Sequence, residues 1–200
     1  MLNNVLSIIA SYMLGSISSA VIVCKILKLP DPRSQGSGNP GATNVLRTGN
    51  KKAAAITLIG DSLKGLLPML IAQIYQAEPT LLAGIGLGAF LGHLYPIWFN
   101  FRGGKGVATA LGVQIGLDWM FGGIIAISWL IIAKLTRISS LAALISMSLA
   151  PIALWLLHPK LELLFMQIII SILLLWRHHD NMARLISGAE ATIKAPDTEN

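Results

Sequence analysis

The chain has 200 residues, of which 54% are hydrophobic and only 12% charged, and its mean hydropathy is +0.69. A soluble domain carries about 25% charged residues, so this composition excludes an ordinary soluble protein and predicts an all-α integral membrane protein. The formal net charge of +6 indicates basic loops at the inner face of a membrane rather than a nucleic-acid partner.

Seven apolar segments predict about seven transmembrane helices, because roughly 20 apolar residues in a helix cross a bilayer. In chain order they cover 4–24, 54–75, 80–98, 107–118, 120–134, 140–157 and 162–177. The segment 107–118 is short for an upright span and follows a glycine-rich stretch, which favours a re-entrant entry. Five spans are the main alternative. The chain 1–200 is predicted to be a single membrane domain, with a loose polar tail at 191–200.

The basic residues lie on one side of these segments. Thirteen of the 15 Lys and Arg residues fall in connections on that side, Lys160 falls on the other, and Lys64 lies within the second segment. The positive-inside rule then places the N-terminus outside and the C-terminus in the cytoplasm. Three polar stretches would meet at the cytoplasmic face, and they cover 28–52, 92–109 and 177–190.

The first polar stretch combines small and polar residues with Arg47. Glycine allows backbone N–H groups to approach an anion closely, and the Arg47 guanidinium can form two parallel hydrogen bonds with a phosphate or carboxylate. A plain connecting loop is the alternative. The candidate binding residues are Ser37, Gly38, Asn39, Gly41, Thr43 and Asn44.

The second polar stretch is a glycine-rich loop that leads into a predicted helix, an arrangement that often binds anions. Its spacing is not that of a Walker A loop, which argues against nucleotide hydrolysis. A helix-entry turn anchored by interfacial basic residues is the alternative, and His93 alone is as well explained by a structural hydrogen bond. The candidate residues are His93, Gly103, Gly104, Lys105 and Gly106.

The third polar stretch contains His178 and Asn181, which are three residues apart and would share one face if this stretch is helical. Together they could bind an anion or orient a hydroxyl group. A zinc site is the weaker interpretation, because no H-E-x-x-H pattern is present and the single cysteine, Cys24, excludes a cysteine cluster. We expect no metal. His179 and Asp180 are interpreted as a solvated helix end.

Two further pairs of polar residues lie at or within the apolar segments. Asp61 and Lys64 are one helical turn apart inside the second segment, and we predict a structural ion pair that faces the protein interior. Ser139 and Ser140 begin the sixth helix, where capping is the usual role. Ser140 is also a candidate binding residue.

The three stretches also match the motifs of a known family. The chain resembles the bacterial membrane acyltransferases that use acyl phosphate to acylate glycerol 3-phosphate. The match covers about residues 5–190, and Met182 stands where isoleucine is more usual. The matching residues are Ser37, Gly38, Asn39, Gly41, Thr43, Asn44 and Arg47; Gly92, His93, Pro96, Phe101 and Gly103 to Thr109; and Arg177, His178, Asn181, Arg184, Leu185, Gly188 and Glu190.

The resemblance implies a seven-helix enzyme of the bacterial inner membrane that makes 1-acyl-glycerol 3-phosphate and phosphate, without a cofactor. Its partners would be acyl phosphate, glycerol 3-phosphate and membrane lipid, and a contact with the acyl-phosphate-forming enzyme stays open. Acyl-CoA-type acyltransferases carry an H-x-x-x-x-D motif. No aspartate stands five residues after any of the four histidines, so that chemistry is absent.

The resemblance also implies roles for individual residues. Acyl phosphate is already an activated anhydride, so the enzyme must position two anions and stabilise developing charge. Lys105 and Arg47 would neutralise the phosphates, while Ser37 and the glycine-loop N–H groups would bind their oxygens. His178 and Asn181 would orient or polarise the acyl phosphate. The hydroxyl proton could pass to a substrate phosphate or to His178, and Glu190 would be structural, paired with a loop arginine.

Two other classes of function account for part of these features. A transporter or flippase of phosphorylated compounds would use the same basic residues, but it should carry polar groups near the bilayer centre and internal repeats. A scaffold that binds anionic lipid headgroups would account for the basic loops. It would not account for glycine-lined motifs rich in Asn, His and Thr.

Overall fold

The described part of the chain is all-helical, as predicted. The computed structural model describes residues 2–193, and within that range it contains helices and two 3₁₀ turns but no strand. The helices are α1 (Leu2–Gly15), α2 (Ser19–Ile26), α3 (Ala42–Arg47), α4 (Lys51–Ile74), α5 (Pro79–Leu94), α6 (Val107–Leu117), α7 (Trp119–Thr136), α8 (Ser139–Leu157), α9 (Leu161–Arg177) and α10 (His179–Ile186). The 3₁₀ turns are Pro32–Ser34 and Ile97–Phe99.

Four to six stretches of this fold are long and apolar enough to cross a membrane. Four are α4, α5 with the turn that follows it, α7 and α8. The pairs α1–α2, bent by 42°, and α9–α10, bent by 57°, each add one if the pair is a broken span. The shorter apolar helix α6 is not among them. Large apolar side chains are exposed around the outside of the bundle, as a surface in contact with lipid requires.

The first predicted helix, 4–24, is not continuous. It breaks after Gly15 and resumes at Ser19, with a bend of 42°. The break leaves the carbonyl of Ile17 without the bond that a continuous helix would give it. Lys64 Nζ, on α4, donates a hydrogen bond of 2.8 Å to that carbonyl. A side chain 47 residues away therefore satisfies the group, which local sequence patterns could not show.

Helices α4 and α6 pack at very close range. A Cβ added to Gly65 would lie 2.2 Å from the carbonyl oxygen of Thr109, and one added to Gly112 would lie 2.0 Å from that of Ser62. Small residues at helix interfaces allow such approach within membranes. The backbone of α6, and with it the glycine loop at its N-terminus, is therefore held in register against α4.

A chain of polar side chains crosses the apolar core. Gln114 Nε2 donates to Gln167 Oε1 at 3.1 Å, and Gln167 Nε2 donates to the Ser171 hydroxyl at 3.1 Å. That hydroxyl in turn donates to the carbonyl of Met147 at 2.7 Å. The two glutamine side chains are fully buried. These hydrogen bonds connect α6 to α9 and α8. Amide groups in a membrane interior need such partners.

A second, smaller core positions the first polar stretch. It contains Ala20 and Cys24 of α2, Val45 of α3, and Ala53 and Ala54 of α4. Cys24 is thus a small buried apolar residue, as expected. Because Val45 is completely buried in this cluster, the short helix α3 is fixed against α2 and α4, and the position of Arg47 follows from it.

Candidate active site

Asn44 organises the first polar stretch from inside. Its side-chain amide donates to the carbonyls of Pro32 at 2.7 Å and Gln35 at 3.0 Å, and its Oδ1 accepts from the N–H of Ser37 at 3.1 Å. The side chain is almost completely buried. These contacts give Asn44 a role in folding the loop, while direct binding of substrate by Asn44 stays a prediction.

The other candidates of this stretch lie at its surface or on α3. Ser37 and Gly38 are exposed, and Asn39 and Gly41 are half-buried. Thr43 Oγ1 lies 3.3 Å from Ser139 Oγ, at the start of α8. Through this contact the first stretch meets the helix that carries Ser140.

Arg47 connects the same stretch to the C-terminal segment. Its Nη2 donates to the carbonyl of Ala191 at 3.2 Å. Its Nε is buried and finds no acceptor within residues 2–193. Ile193 N–H also donates to the carbonyl of Arg137 at 2.8 Å, so the predicted loose tail begins with ordered contacts. The rest of that tail, 194–200, lies outside the described residues.

The glycine loop is clamped on both sides. Arg177 donates to the carbonyls of Gly103 at 3.0 Å and Gly104 at 3.3 Å. The N–H groups of the same glycines donate to the carbonyls of Leu94 at 3.2 Å and His93 at 3.1 Å. Both N–H groups therefore have carbonyl partners in this structure, and the binding of an anion by Gly103 and Gly104 stays a prediction.

His93 lies behind the glycine loop rather than at the surface. It is 7% exposed, and a Cβ added to Gly104 would lie 2.1 Å from its Nε2. Its Nδ1 lies 3.7 Å from Asp61 Oδ1, and Asp61 is paired with Lys64 at 3.0 Å. The predicted buried ion pair is therefore confirmed, and it adjoins the histidine that supports the loop.

The strongest convergence of predicted residues is around Glu190. Lys105 Nζ donates to Asn181 Oδ1, and Asn181 Nδ2 donates to Glu190. The Ser140 hydroxyl and Arg184 Nε donate to the same carboxylate at 2.7 Å each. The Glu190 side chain is only 4% exposed. Two residues of the third polar stretch and one from α8 thus donate to a single anionic group, and Lys105 of the second stretch joins it through Asn181.

The expected capping role of Ser139 and Ser140 is not observed. The N-cap of α8 is Ile138, and no side chain caps it by a hydrogen bond. Both hydroxyls point instead to long-range partners, Thr43 and Glu190. These contacts place Ser140 in the site as a hydrogen-bond donor.

The charges at this site favour anions. Burial lowers the pKa of Lys105 to about 8, and the nearby Arg184 guanidinium acts in the same direction. Burial alone would raise the pKa of Glu190, but hydrogen bonds from Ser140, Arg184 and Asn181 hold it below its usual value. Glu190 is therefore ionised at neutral pH, and it faces an excess of positive groups that can accept further negative charge.

His178 is buried, and its ring orientation is fixed by a hydrogen bond. Nδ1 lies 2.8 Å from the carbonyl of Leu174. A carbonyl only accepts, so Nδ1 carries the proton and Nε2 of the neutral ring retains a lone pair. The neighbouring His179 and Asp180 are exposed, as expected, and pair at 3.1 Å. Across residues 2–193, no three His, Cys, Asp or Glu side chains group closely enough to hold a metal ion.

Three residues matter more to the site than the sequence suggested. Arg177 holds the glycine loop, and Arg184 and Glu190 form an ion pair with an Nε–Oε2 distance of 2.7 Å. Arg184 lies on α10, not in a loop as expected for the partner of Glu190. All three belong to the third motif, and membership of that motif was the sequence signal that could have identified them. At a helix end, however, arginine is also the ordinary interfacial anchor.

The fold and the site together define an all-helical membrane protein with a group of basic side chains at one end of its bundle. Comparison with known proteins narrows this class. The family described as glycerol-3-phosphate acyltransferase matches residues 5–188. A glycerol-3-phosphate acyltransferase of Methylobacillus flagellatus is 49% identical, over 95% of this chain and 97% of that protein. One of Methylococcus capsulatus is 53% identical, over 92% and 93%.

A solved structure agrees with these relatives. The crystal structure of PlsY, an integral membrane glycerol 3-phosphate acyltransferase, in its glycerol 3-phosphate form, superposes with a TM-score of 0.90 and 38% identity over 95% of each chain. The lysophosphatidic acid form superposes with a TM-score of 0.88. This chain belongs to the glycerol-3-phosphate acyltransferase family, and the resemblance of its three motifs is confirmed.

Proposed function

We propose that this chain transfers an acyl group from acyl phosphate to the 1-hydroxyl of sn-glycerol 3-phosphate, and that the products are 1-acyl-glycerol 3-phosphate and phosphate. The observation that carries this proposal is the convergence of Asn181, Ser140 and Arg184 on one buried carboxylate, with Lys105 bonded to Asn181 beside it. These donors suit phosphate oxygens as well as they suit Glu190.

The substrate phosphates would bind to the cations that surround this convergence. Lys105 contributes an ammonium group whose charge is weakly hydrated because it is partly buried. Arg47 contributes a buried Nε that has no acceptor within residues 2–193, and a phosphate oxygen would provide one. Ser37 is exposed, and its N–H is held by Asn44 of the same polar stretch as Arg47, so its hydroxyl would be available to a phosphate oxygen. Two anions that repel each other in water could thus be held side by side.

The reaction would then need no covalent enzyme intermediate. The 1-hydroxyl oxygen of glycerol 3-phosphate attacks the acyl carbon, the bond from that carbon to the phosphate oxygen breaks, and phosphate leaves. Lys105 and Asn181 stabilise the negative charge that develops. The hydroxyl proton passes to the departing phosphate or to Nε2 of His178, which carries a lone pair because Nδ1 is bonded to Leu174.

We further propose seven spans in a bacterial inner membrane, with α6 counted as a short or re-entrant span, the N-terminus outside and the C-terminus in the cytoplasm. The distribution of basic residues supports this orientation. Arg47, Lys105 and Arg177 all belong to the one end of the bundle that holds the site. The site would open to the cytoplasm, where glycerol 3-phosphate is available, and the acyl chain would extend between helices into lipid.

The test is phosphate release by purified, detergent-solubilised protein given palmitoyl phosphate in EDTA, with and without glycerol 3-phosphate. We expect release that depends on glycerol 3-phosphate and yields lysophosphatidic acid. Product that appears only after Mg²⁺ or Zn²⁺ is added would contradict the metal-free mechanism. Folded protein that gives no product under either condition would refute the enzyme and favour a transporter.

A further inference from the structure

An ion pair is buried inside the bundle, directly beneath the glycine loop. Asp61 and Lys64 of α4 are 3% and 4% exposed, and Lys64 Nζ lies 3.0 Å from Asp61 Oδ1. A buried ion pair is weak evidence of stability, because well-packed apolar residues of the same size often stabilise a protein equally or better. A pair at this position therefore needs another explanation.

The turn of α4 that carries the pair lies next to one residue on each side of the glycine loop, His93 of α5 and Thr109 of α6. Asp61 Oδ1 lies 3.7 Å from Nδ1 of His93, the residue whose ring supports Gly104 and whose carbonyl accepts the Gly104 N–H. On the far side of the loop, the Thr109 hydroxyl donates to the backbone carbonyl of Asp61 at 2.9 Å. One turn of α4 thus touches the residues that precede and follow Lys105.

Lys64 extends the same contacts to the break between α1 and α2. Its Nζ donates to the carbonyl of Ile17 at 2.8 Å. A narrow gap lined by Ser16, Lys64, His93, Pro96 and Gly104 separates that break from the loop. The ammonium group is therefore shared between a carboxylate and a broken helix end, and both lie next to residues that line the loop.

We propose that Asp61 and Lys64 are positioning residues of the acyl transfer, which support the glycine loop that presents Lys105. Lys64 holds the α1–α2 break through Ile17, Asp61 is the charged group that faces the otherwise unpartnered Nδ1 of His93, and the turn that carries both is joined to the start of α6 through Thr109. They act through other residues and do not touch substrate. This inference rests on the proposed function, which assigns Lys105 to a substrate phosphate, and it takes that phosphate to be the one of glycerol 3-phosphate.

The test is a neutral replacement of the whole pair, Asp61→Asn with Lys64→Met in one chain. Replacing both groups avoids a lone buried charge, so the protein should fold. We expect KM for glycerol 3-phosphate to rise by about 10- to 100-fold, as a displacement of about 1 Å in a binding loop would cause, with a smaller change in kcat. The thermal stabilisation that glycerol 3-phosphate gives the protein should shrink in parallel.

A matched control lies at the opposite end of the bundle, where Asp118 Oδ2 is 3.2 Å from His158 Nε2. The variant Asp118→Asn with His158→Gln also removes a carboxylate and its partner, and it should keep the wild-type KM. A folded Asp61→Asn, Lys64→Met protein with wild-type KM and wild-type thermal stabilisation would overturn the proposal.

If the double variant does not accumulate as folded protein, the variant Thr109→Val tests the proposal instead. It removes only the hydroxyl that joins the start of α6 to the backbone carbonyl of Asp61, so it loosens the turn that carries the pair from the loop and leaves the pair itself in place. We expect KM to rise by about 3- to 10-fold, the effect of one hydrogen bond. An unchanged KM in this variant would also overturn the proposal. Turnover of the wild type is measured first, and its absence would refute the proposed acyltransferase reaction. In that case the thermal stabilisation that glycerol 3-phosphate gives the wild type and the variants would still test the role of the pair in positioning the loop.

Discussion

A graded series of glycine-to-alanine variants tests whether the glycine loop is a binding element held by His93. In Gly104→Ala the new Cβ would lie 2.1 Å from Nε2 of His93, where ordinary contact begins at 3.4 Å. The ring or the loop must therefore yield by about 1.3 Å. His93 is buried, so the loop shares the movement.

The expected magnitude follows from that displacement. Misplacing a binding group by about 1 Å costs about 100-fold in rate or binding, so KM for glycerol 3-phosphate should rise by about 10- to 100-fold with kcat changed less. Overpacking of this kind costs about 1–3 kcal/mol of stability, which a stable membrane protein survives. The assay is phosphate release against glycerol 3-phosphate concentration, with thermal unfolding measured on the same samples.

Two other glycines provide the ends of the series. Gly123→Ala adds a methyl group with nothing within 4 Å among the described residues, and it should match the wild type in both assays. Gly103→Ala would place its Cβ 2.0 Å from the backbone oxygen of His93, which cannot move aside, so the yield of folded protein should fall. If Gly104→Ala behaves like Gly123→Ala, or changes kcat alone, the binding role of the loop is refuted.

The remaining predictions concern the charged groups of the site. Lys105→Ala and Arg47→Ala should each lower kcat/KM by at least about 100-fold while the circular dichroism spectrum is unchanged; near wild-type turnover in either would remove that residue from the phosphate site. Because the pKa of Lys105 is lowered to about 8, kcat/KM should fall as pH rises through about 8. The variant Lys105→Arg should move that decline to higher pH. A decline at the same pH in both proteins would mean that another group causes it. Glu190→Ala should reduce folded protein, since it leaves three donors without their acceptor at a cost of about 1–3 kcal/mol. The pKa of Glu190 is lowered in the folded protein, so its contribution to stability is present above the ordinary pKa of glutamate and is lost as pH falls through the lowered pKa. The wild type should therefore lose more stability in acid than Glu190→Gln does. Equal yields of folded wild type and Glu190→Ala, and equal acid profiles of wild type and Glu190→Gln, would count against this role.

Much of the bundle could be predicted because apolar length is a strong local signal. From α4 to α9 the predicted segments and the observed helices differ by at most four residues at either end. The short helices α3 and α10 were not predicted, because six or eight residues inside a polar stretch carry no such signal. The break after Gly15 was missed for another reason. It depends on Lys64, which is remote in sequence.

The composition of the site could be predicted, but its internal hydrogen bonds could not. The motif residues Lys105 and Asn181 do meet, although 76 residues separate them. The sequence could not show that the N–H groups of Gly103 and Gly104 are taken by carbonyls of α5. Nor could it show that Ser140 donates to Glu190 rather than capping its helix. Each of these depends on how two distant backbones approach, which residue types alone do not determine.

The buried glutamine chain between α6 and α9 has a consequence for how the protein is made. Helix α6 has 11 residues, too few to be stable alone in a bilayer of ordinary thickness. Its Gln114 amide donates to the weakly accepting sulfur of Met147 on α8 and to the stronger acceptor, Gln167 Oε1 of α9. During synthesis, that acceptor emerges more than 50 residues later. We therefore expect the ribosome-bound nascent chain to hold α6 only loosely until α9 has inserted, so that membrane integration finishes from the C-terminal end. Chains terminated before α9 would be substrates for membrane quality control rather than partly active enzymes.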